Sequence, residues 1–281
     1  MEFLYPRVEH LFRLTDDTGV LQHSKFSVPD PNFGYTTDDN SRALIVAIML
    51  YKNYKEERYL NLIYRYSSFL LNAQTEKGNF RNFMSYNRVF LEEEGSEDSF
   101  GRAVWSLGFG ISEKSLPINL RNLYKEMFIK AMNHIYELKS PRSKAYTILG
   151  MYYAQKDLSL NLFEHVRNLA KSLVRQFREN VDSSWRWFED IMAYSNAVLP
   201  LSLLISYRIL RDKMFLEVGL DSMEFLEKIV FRNGYFKPIG CKGWYVRGGK
   251  IAEYDEQPIE ASEMVLLYKE AYEILKDVNY I

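Results

Sequence analysis

The chain has 281 residues, 47% hydrophobic and 26% charged, a balance that excludes a disordered chain and supplies enough apolar side chains for a sizeable core. Its 36 basic residues nearly cancel its 37 acidic ones, for a formal charge of -1, and without a basic tract the composition argues against nucleic acid as a partner. The single cysteine, Cys241, excludes an intrachain disulfide and any multi-cysteine metal site.

The first residues, Met1-Glu-Phe-Leu-Tyr-Pro-Arg7, lack the basic and apolar regions of a signal peptide. The longest apolar run, residues 43–51, is too short to span a bilayer. A cytoplasmic protein with no membrane partner is the consistent expectation, and the richness in Lys, Glu, Arg, Ile and Tyr is of the kind thermophile proteins carry. The aromatic share of 15%, with 21 tyrosines, serves a core and also offers platforms on which sugar rings stack.

Residues 8–14 read as a short helix ended by the turn cluster Thr15-Asp-Asp-Thr-Gly19. A long connection over residues 20–37 follows, holding Pro29, Pro31 and Gly34; its Phe26, Phe33 and Tyr35 favour an ordered, functional loop. From residue 40 two kinds of helix alternate. One is apolar nearly all round, hence buried, over roughly residues 40–54, 101–111, 142–155, 193–209 and 260–275. The other carries one apolar stripe: Leu60, Ile63, Tyr64, Ser67 and Leu71; then Leu120, Tyr124, Phe128, Ala131 and Ile135; then Phe163, Val166, Ala170, Leu173 and Phe177; and finally residues 215–230. Minor β-hairpins are expected in loops at residues 79–82, 87–91 and 234–251.

Buried helices alternating with one-sided helices predict an all-α fold, an α/α toroid of five to six helical hairpins with an inner and an outer ring. The inner helices begin near residues 40, 101, 142, 193 and 260, hence 61, 41, 51 and 67 residues apart, too irregular for a solenoid of fixed period. No strong linker interrupts the chain, so one domain over residues 1–281 is expected.

Four of these five helices are preceded or opened by adjacent acids: Asp38-Asp39, Glu97-Asp98, Glu189-Asp190 and Asp255-Glu256. The fifth, at Ser140-Pro-Arg-Ser-Lys144, has none. If the inner helices run parallel, the pairs gather at one end of the ring. Two readings stand for each pair. An acid at a helix N-terminus caps free N–H groups and complements the dipole, and Thr36-Thr-Asp-Asp39 loosely fits a capping box. A cap needs only one carboxylate, however, and glycoside cleavage needs two, one to protonate the leaving oxygen and one to activate water or attack the anomeric carbon. On that reading Asp39, Asp98, Asp190 and Glu256 are the catalytic candidates, with Asp38 as cap or substrate contact. Aromatic neighbours add substrate-binding candidates in Tyr35, Trp185, Trp187 and Trp244, while Trp105 lies within an apolar helix and reads as core. Arg42 and Arg102 occupy matching contexts and serve either to pair with the acids or to bind a substrate carboxylate or phosphate. Calcium is the other ligand that clustered carboxylates hold; neither a metal nor a cofactor is expected.

Taken together, Gly19-Val-Leu-Gln-His-Ser-Lys25, the 34–44 stretch, Glu97-Asp-Ser-Phe-Gly-Arg-Ala-Val-Trp105, Trp187-Phe-Glu-Asp190 and Asp255-Glu-Gln-Pro-Ile-Glu-Ala261 resemble a bacterial and archaeal helical family related to six-hairpin glycosidases, found alone or fused to glycosyltransferases. The resemblance runs from about residue 10 to residue 275. It implies an α/α toroid and a carbohydrate-directed role, and it makes a glycosyltransferase a candidate partner. It brings no assigned catalytic pair. His23, Lys25, Asn196 and Gln257, from these motifs and from Tyr194-Ser-Asn-Ala-Val-Leu-Pro200, join the substrate-binding candidates. Ser195 departs from the pattern, since relatives carry an acid before Asn-Ala.

The function expected is a glycoside hydrolase acting on an oligosaccharide. The alternatives are a glycoside phosphorylase, with phosphate replacing water, and a non-catalytic carbohydrate-binding domain working beside a glycosyltransferase. A sugar epimerase would want paired histidines, and His134 and His165 fall on amphipathic helices, leaving only His10 and His23.

Overall fold

A computed structural model of the chain describes residues 5–157 and 160–280; the N-terminal reading above falls partly on residues 1–4, outside the described residues. The described chain is built on helices: α1 (Glu9–Leu14), α2 (Thr37–Tyr54), α3 (Glu57–Ala73), α4 (Glu97–Ser112), α5 (Ile118–Ala131), α6 (Pro141–Ala154), α7 (Phe163–Asn180), α8 (Val198–Leu210), α9 (Lys213–Val230) and α10 (Pro258–Leu275). The two expected helix types alternate. On α7 the buried side chains Val166, Leu169, Ala170, Leu173, Val174 and Phe177 make a single stripe at three-four spacing. On α8, by contrast, every residue from Val198 to Ser206 is buried.

Two helices differ from the expectation of burial on all sides. On α2, Val46 is 44% and Met49 48% exposed. The partners of α2 within its unit are α3 and α4, which leave that flank uncovered. On α10, Val265 is 67% exposed, while Glu260, Glu263 and Glu270 are buried. The inward face of that helix thus mixes three glutamates with Met264, Leu267 and Ala271, which hydropathy alone does not anticipate.

The chain divides into two compact units, residues 1–138 with 153–158 and residues 139–152 with 159–281. In the first, α2 packs on α3 and α4, and α4 on α5. In the second, α8 is the shared partner of α7, α9 and α10.

A recurring turn ends α2, α8 and α10. The residues after them, Lys55, Arg211 and Lys276, all have φ 57° and return their backbone N–H to Tyr51, Tyr207 and Tyr272. Glycine is the usual residue at such a left-handed cap. Here each cation instead lies over the ring of that tyrosine, at 5.2, 5.8 and 5.4 Å, and complements the helix C-terminal dipole.

The strands are two residues each: β1 (Ser24–Lys25), β2 (Val28–Pro29), β3 (Tyr35–Thr36), β4 (Phe83–Met84), β5 (Ile191–Met192), β6 (Phe231–Arg232), β7 (Tyr235–Phe236) and β8 (Tyr245–Val246). They pair antiparallel as β1–β2, β3–β4, β5–β8 and β6–β7. The expected hairpins at 79–82 and 87–91 appear only as the isolated bridges Gln74–Phe80 and Met84–Phe90, and 234–251 holds β7 and β8.

Close helix packing in the first unit depends on Gly110 of α4, where an added Cβ would meet Tyr124 ring atoms at 2.5 and 2.6 Å. Tyr124 is buried and hydrogen-bonded to Ser67 at 2.6 Å, so it cannot swing away freely. Gly110→Ala gains roughly 1 kcal/mol of helix propensity but overpacks the contact, and a net loss of about 1–2 kcal/mol is expected in urea unfolding. Equal or higher stability would show that the ring yields.

Candidate functional site

In the first unit the start of α2 gathers four sequence candidates. The helix is capped by Thr36, whose Oγ1 accepts from the Asp39 N–H at 3.0 Å and donates to Asp39 Oδ2 at 2.6 Å. Asn82 takes the next free donors, its carbonyl from the Thr37 N–H at 2.9 Å and its Oδ1 from the Asp38 N–H at 3.2 Å. Similarly, Ser96 caps α4 by accepting from the Ser99 N–H at 3.2 Å. The starts of α8 and α10 have no side-chain cap, and Glu189-Asp190 precedes β5 rather than opening α8. Hydroxyls do the capping, so capping does not account for the acid pairs.

The carboxylates meet guanidinium groups instead. Arg42 Nη2 lies 3.0 Å from Asp38 Oδ2 and 2.5 Å from Asp39 Oδ1, while Arg102 Nε reaches from α4 to within 2.5 Å of Asp38 Oδ1. The Arg102 side chain is only 5% exposed and that of Asp39 24%. Burial raises the Asp39 carboxyl above the ordinary carboxylate range, against the lowering pull of Arg42 and of the Thr36 hydroxyl. Tyr35 is buried beside this cluster and donates to Asp16 Oδ2 at 2.5 Å. His23 is exposed, with its ring edge-on to Phe33 at 4.5 Å. Lys25 is exposed on β1. Asp98 stands in the first turn of α4, four residues before Arg102 and thus on the same helix face.

In the second unit a different set converges. Arg142, 5% exposed in the first turn of α6, donates from Nη1 to Glu189 Oε2 at 2.6 Å and from Nε to the Tyr194 carbonyl at 2.5 Å. Its guanidinium lies 4.8 Å over the Tyr194 ring, which is 5.9 Å from that of Trp244. The buried Glu260 accepts from the backbone N–H of Ser195, and from the N–H and Nδ2 of Asn196 at 3.3 and 3.1 Å. These bonds hold Ser195 in the left-handed region at φ 49°. The Ser195 hydroxyl donates to Glu263 at 3.1 Å. An acid at position 195 would set a further carboxylate against Glu260 and Glu263, which gives the departure at Ser195 a physical reason. Burial raises the Glu260 carboxyl too, opposed by the Asn196 and Ser195 donors and by Arg142.

The remaining candidates stand apart from this set. The Asp190 side chain is 75% exposed and pairs with Arg247 at 3.1 Å. Glu256 is exposed, and Gln257 is half-buried at the head of α10. Trp185 and Trp187, expected to bind substrate, are 1% and 0% exposed: Trp185 donates to the Glu189 carbonyl at 2.7 Å and packs on Phe225 and Tyr245. Their rings are core, closed to a sugar, and of the three tryptophans only Trp244 keeps partial exposure. Sequence reasoning passed over Arg142, Glu260 and Glu263. Their signal was a charge within a helix that reads as buried, because such charges are kept only when partnered.

Among the described residues no group of three or more His, Cys, Asp and Glu side chains is placed to hold a metal ion. No described helix is long and apolar enough to cross a membrane. No protein-family model matches the chain, and no curated protein matches it. Solved structures do. A D-mannose isomerase aligns with TM-score 0.73 and 13% identity, over 96% of this chain and 79% of its own. A sugar epimerase from a ruminal bacterium aligns with TM-score 0.71 and 14% identity, over 96% and 79%. A GH76 alpha-mannanase from Bacteroides thetaiotaomicron aligns with TM-score 0.62 and 11% identity, over 88% and 71%. What is shared at such identities is the fold, and the fold class is the all-α α/α toroid.

The raised Asp39 carboxyl has a consequence for stability. Its contribution is present in full below the ordinary aspartate value of about 4 and is lost as pH rises through its higher folded-state value. Asp39→Asn removes that titration. Relative to this variant, the wild type is expected to lose stability in urea unfolding as pH rises from about 4 toward neutral. Parallel pH profiles for the two proteins would contradict this.

Proposed function

We propose that the chain is a carbohydrate-active enzyme, a glycoside hydrolase that cleaves an oligosaccharide by carboxylate acid–base catalysis with Asp39 as the general acid. The observation that carries this reading is the cluster at the start of α2, where a carboxyl that burial biases toward its protonated form adjoins a carboxylate held by two guanidinium groups. A carboxyl of that kind donates its proton to the leaving glycosidic oxygen as the bond breaks. Asp38 and Asp39 share one nitrogen of Arg42 at 3.0 and 2.5 Å, so they lie closer than the roughly 6.5–9.5 Å of an inverting pair. Asp38 is moreover held by both guanidinium groups, so we place the second catalytic carboxylate elsewhere. Asp98 is the candidate we assign, because Arg102, one turn along the same face of α4, reaches the cluster directly.

The neighbours support a sugar as substrate, since they include an alpha-mannanase. The isomerase and epimerase among them favour a second reading, proton transfer at a sugar carbon. That chemistry also needs an acid and a base. Both ring nitrogens of His134 are engaged, by Glu137 at 3.1 Å and by the Lys77 carbonyl at 2.9 Å, and the groups that burial raises at both clusters are carboxyls. The hydrolase reading fits that set better. A glycosyltransferase partner and a cytoplasmic setting rest on the sequence alone.

A panel of nitrophenyl glycosides and neutral oligosaccharides, with and without phosphate and with products followed by NMR, tests the reading. Hydrolysis is expected, with kcat in Asp39→Asn reduced at least about 100-fold and the far-UV circular dichroism kept. Epimerised or isomerised reducing sugars, or binding without turnover, would overturn it.

A further inference from the structure

We propose that the β1–β2 hairpin and a second hairpin over residues 84–90, closed by the Met84–Phe90 bridge and set against β3, form an aromatic surface for the outer residues of a neutral oligosaccharide, an inference that rests on the reading of Asp39 as the site of cleavage. At the tip of β1–β2, Phe26 is 94% exposed with φ 56°. Two-residue hairpin turns with positive φ call for Asn or Gly, and a bulky ring there is an outlier. Local stability does not explain it; an aromatic ring held out into solvent is what the position provides. Phe33 follows at 53% exposure. On the second hairpin, Tyr86 is 56% exposed and stacks on the buried Tyr35, with centroids 6.3 Å apart and planes at 15°. Phe83 of β4 is 44% exposed.

The two segments meet at β3, with Tyr86 against Tyr35 on one face of the β3–β4 pair and Phe83 opposite Thr36 on the other. Strands β3 and β4 pair Tyr35 with Met84 and Thr36 with Phe83, and Gly34 presses so closely on the second hairpin that an added Cβ would meet the Met84 carbonyl at 2.1 Å. β3 ends on Thr36, which bonds to Asp39. Polar side chains are interleaved with the rings: His23 against Phe33, Asp30 bonded to Asn32 at 2.9 Å, and Arg88 paired with Asp17 at 2.7 Å. The core of a protein–protein patch is depleted in such charges, whereas a sugar presents apolar ring faces bordered by hydroxyls and uses both kinds of group. Arg42 and Arg102 of the acid cluster, and Arg88 among the rings, are each held by a carboxylate. The ligand class is therefore a neutral oligosaccharide.

Phe26→Asn and Tyr86→Ala test this, with cello- and manno-oligosaccharides, the matching monosaccharides and nitrophenyl glycosides as probes. Each variant is expected to weaken oligosaccharide binding, read as Kd by calorimetry, about tenfold and to leave kcat on nitrophenyl glycosides unchanged. Asn suits a positive φ, so Phe26→Asn is expected to keep or raise the unfolding temperature, which separates lost binding from lost folding. Oligosaccharides bound no more tightly than monosaccharides, undiminished binding by both variants, or a wild-type dimer that Phe26→Asn dissolves in sedimentation would each overturn the proposal. Ring-dependent binding without turnover would uphold it and sink the hydrolase reading. Turnover with silent ring variants would do the reverse.

Discussion

The tie on which the site depends is the one between Asp38 and two guanidinium groups, Arg42 from its own helix and the nearly buried Arg102 from α4. A guanidinium that far from water needs a carboxylate, since an unpartnered buried charge costs several kcal/mol. By holding Asp38, Arg102 sets the N-terminal part of α4 against the first turn of α2. Arg42 in turn reaches Asp39, so that carboxyl is placed by charge while burial keeps its ionised form unfavourable. One acid serves the architecture and the other is left with altered acidity, a division that glycosidase-type chemistry uses.

The second unit solves the same problem differently. The head of α6 has no acid of its own, and Arg142 finds its carboxylate on the loop at Glu189 and a carbonyl at Tyr194. The turn that presents Tyr194 is held by Glu260, which reaches from α10 to two backbone N–H groups. An arginine within the first two turns of α2, α4 and α6 is thus a repeated device, with a partner supplied locally or from another segment of the chain.

Much of the fold was legible because helix periodicity is a backbone property. The stripe through Val166, Ala170 and Leu173 and the unbroken run of α8 both state their burial in the order of residues. Burial set by partners was less legible. Val46 and Met49 read as core and are half in solvent, whereas Trp185 and Trp187 read as substrate contacts and are core, because Phe225 and Tyr245 arrive from distant segments. The acid pairs drew attention to Asp38 and Asp39 but also to the outward Asp190 and Glu256, since adjacency in sequence says nothing of which carboxylate turns inward. Glu260 was overlooked because its partners, Ser195 and Asn196, lie in another segment of the chain.

The central claim is that folding holds Asp39 as a carboxyl with raised proton affinity. The most direct measurement is a carboxyl 13C NMR titration of the folded protein, with the Asp39 resonance identified by its absence from Asp39→Asn. The account predicts a midpoint above the ordinary aspartate value of about 3.9. A midpoint at or below that value would contradict it, because the Arg42 and Thr36 contacts would then outweigh burial.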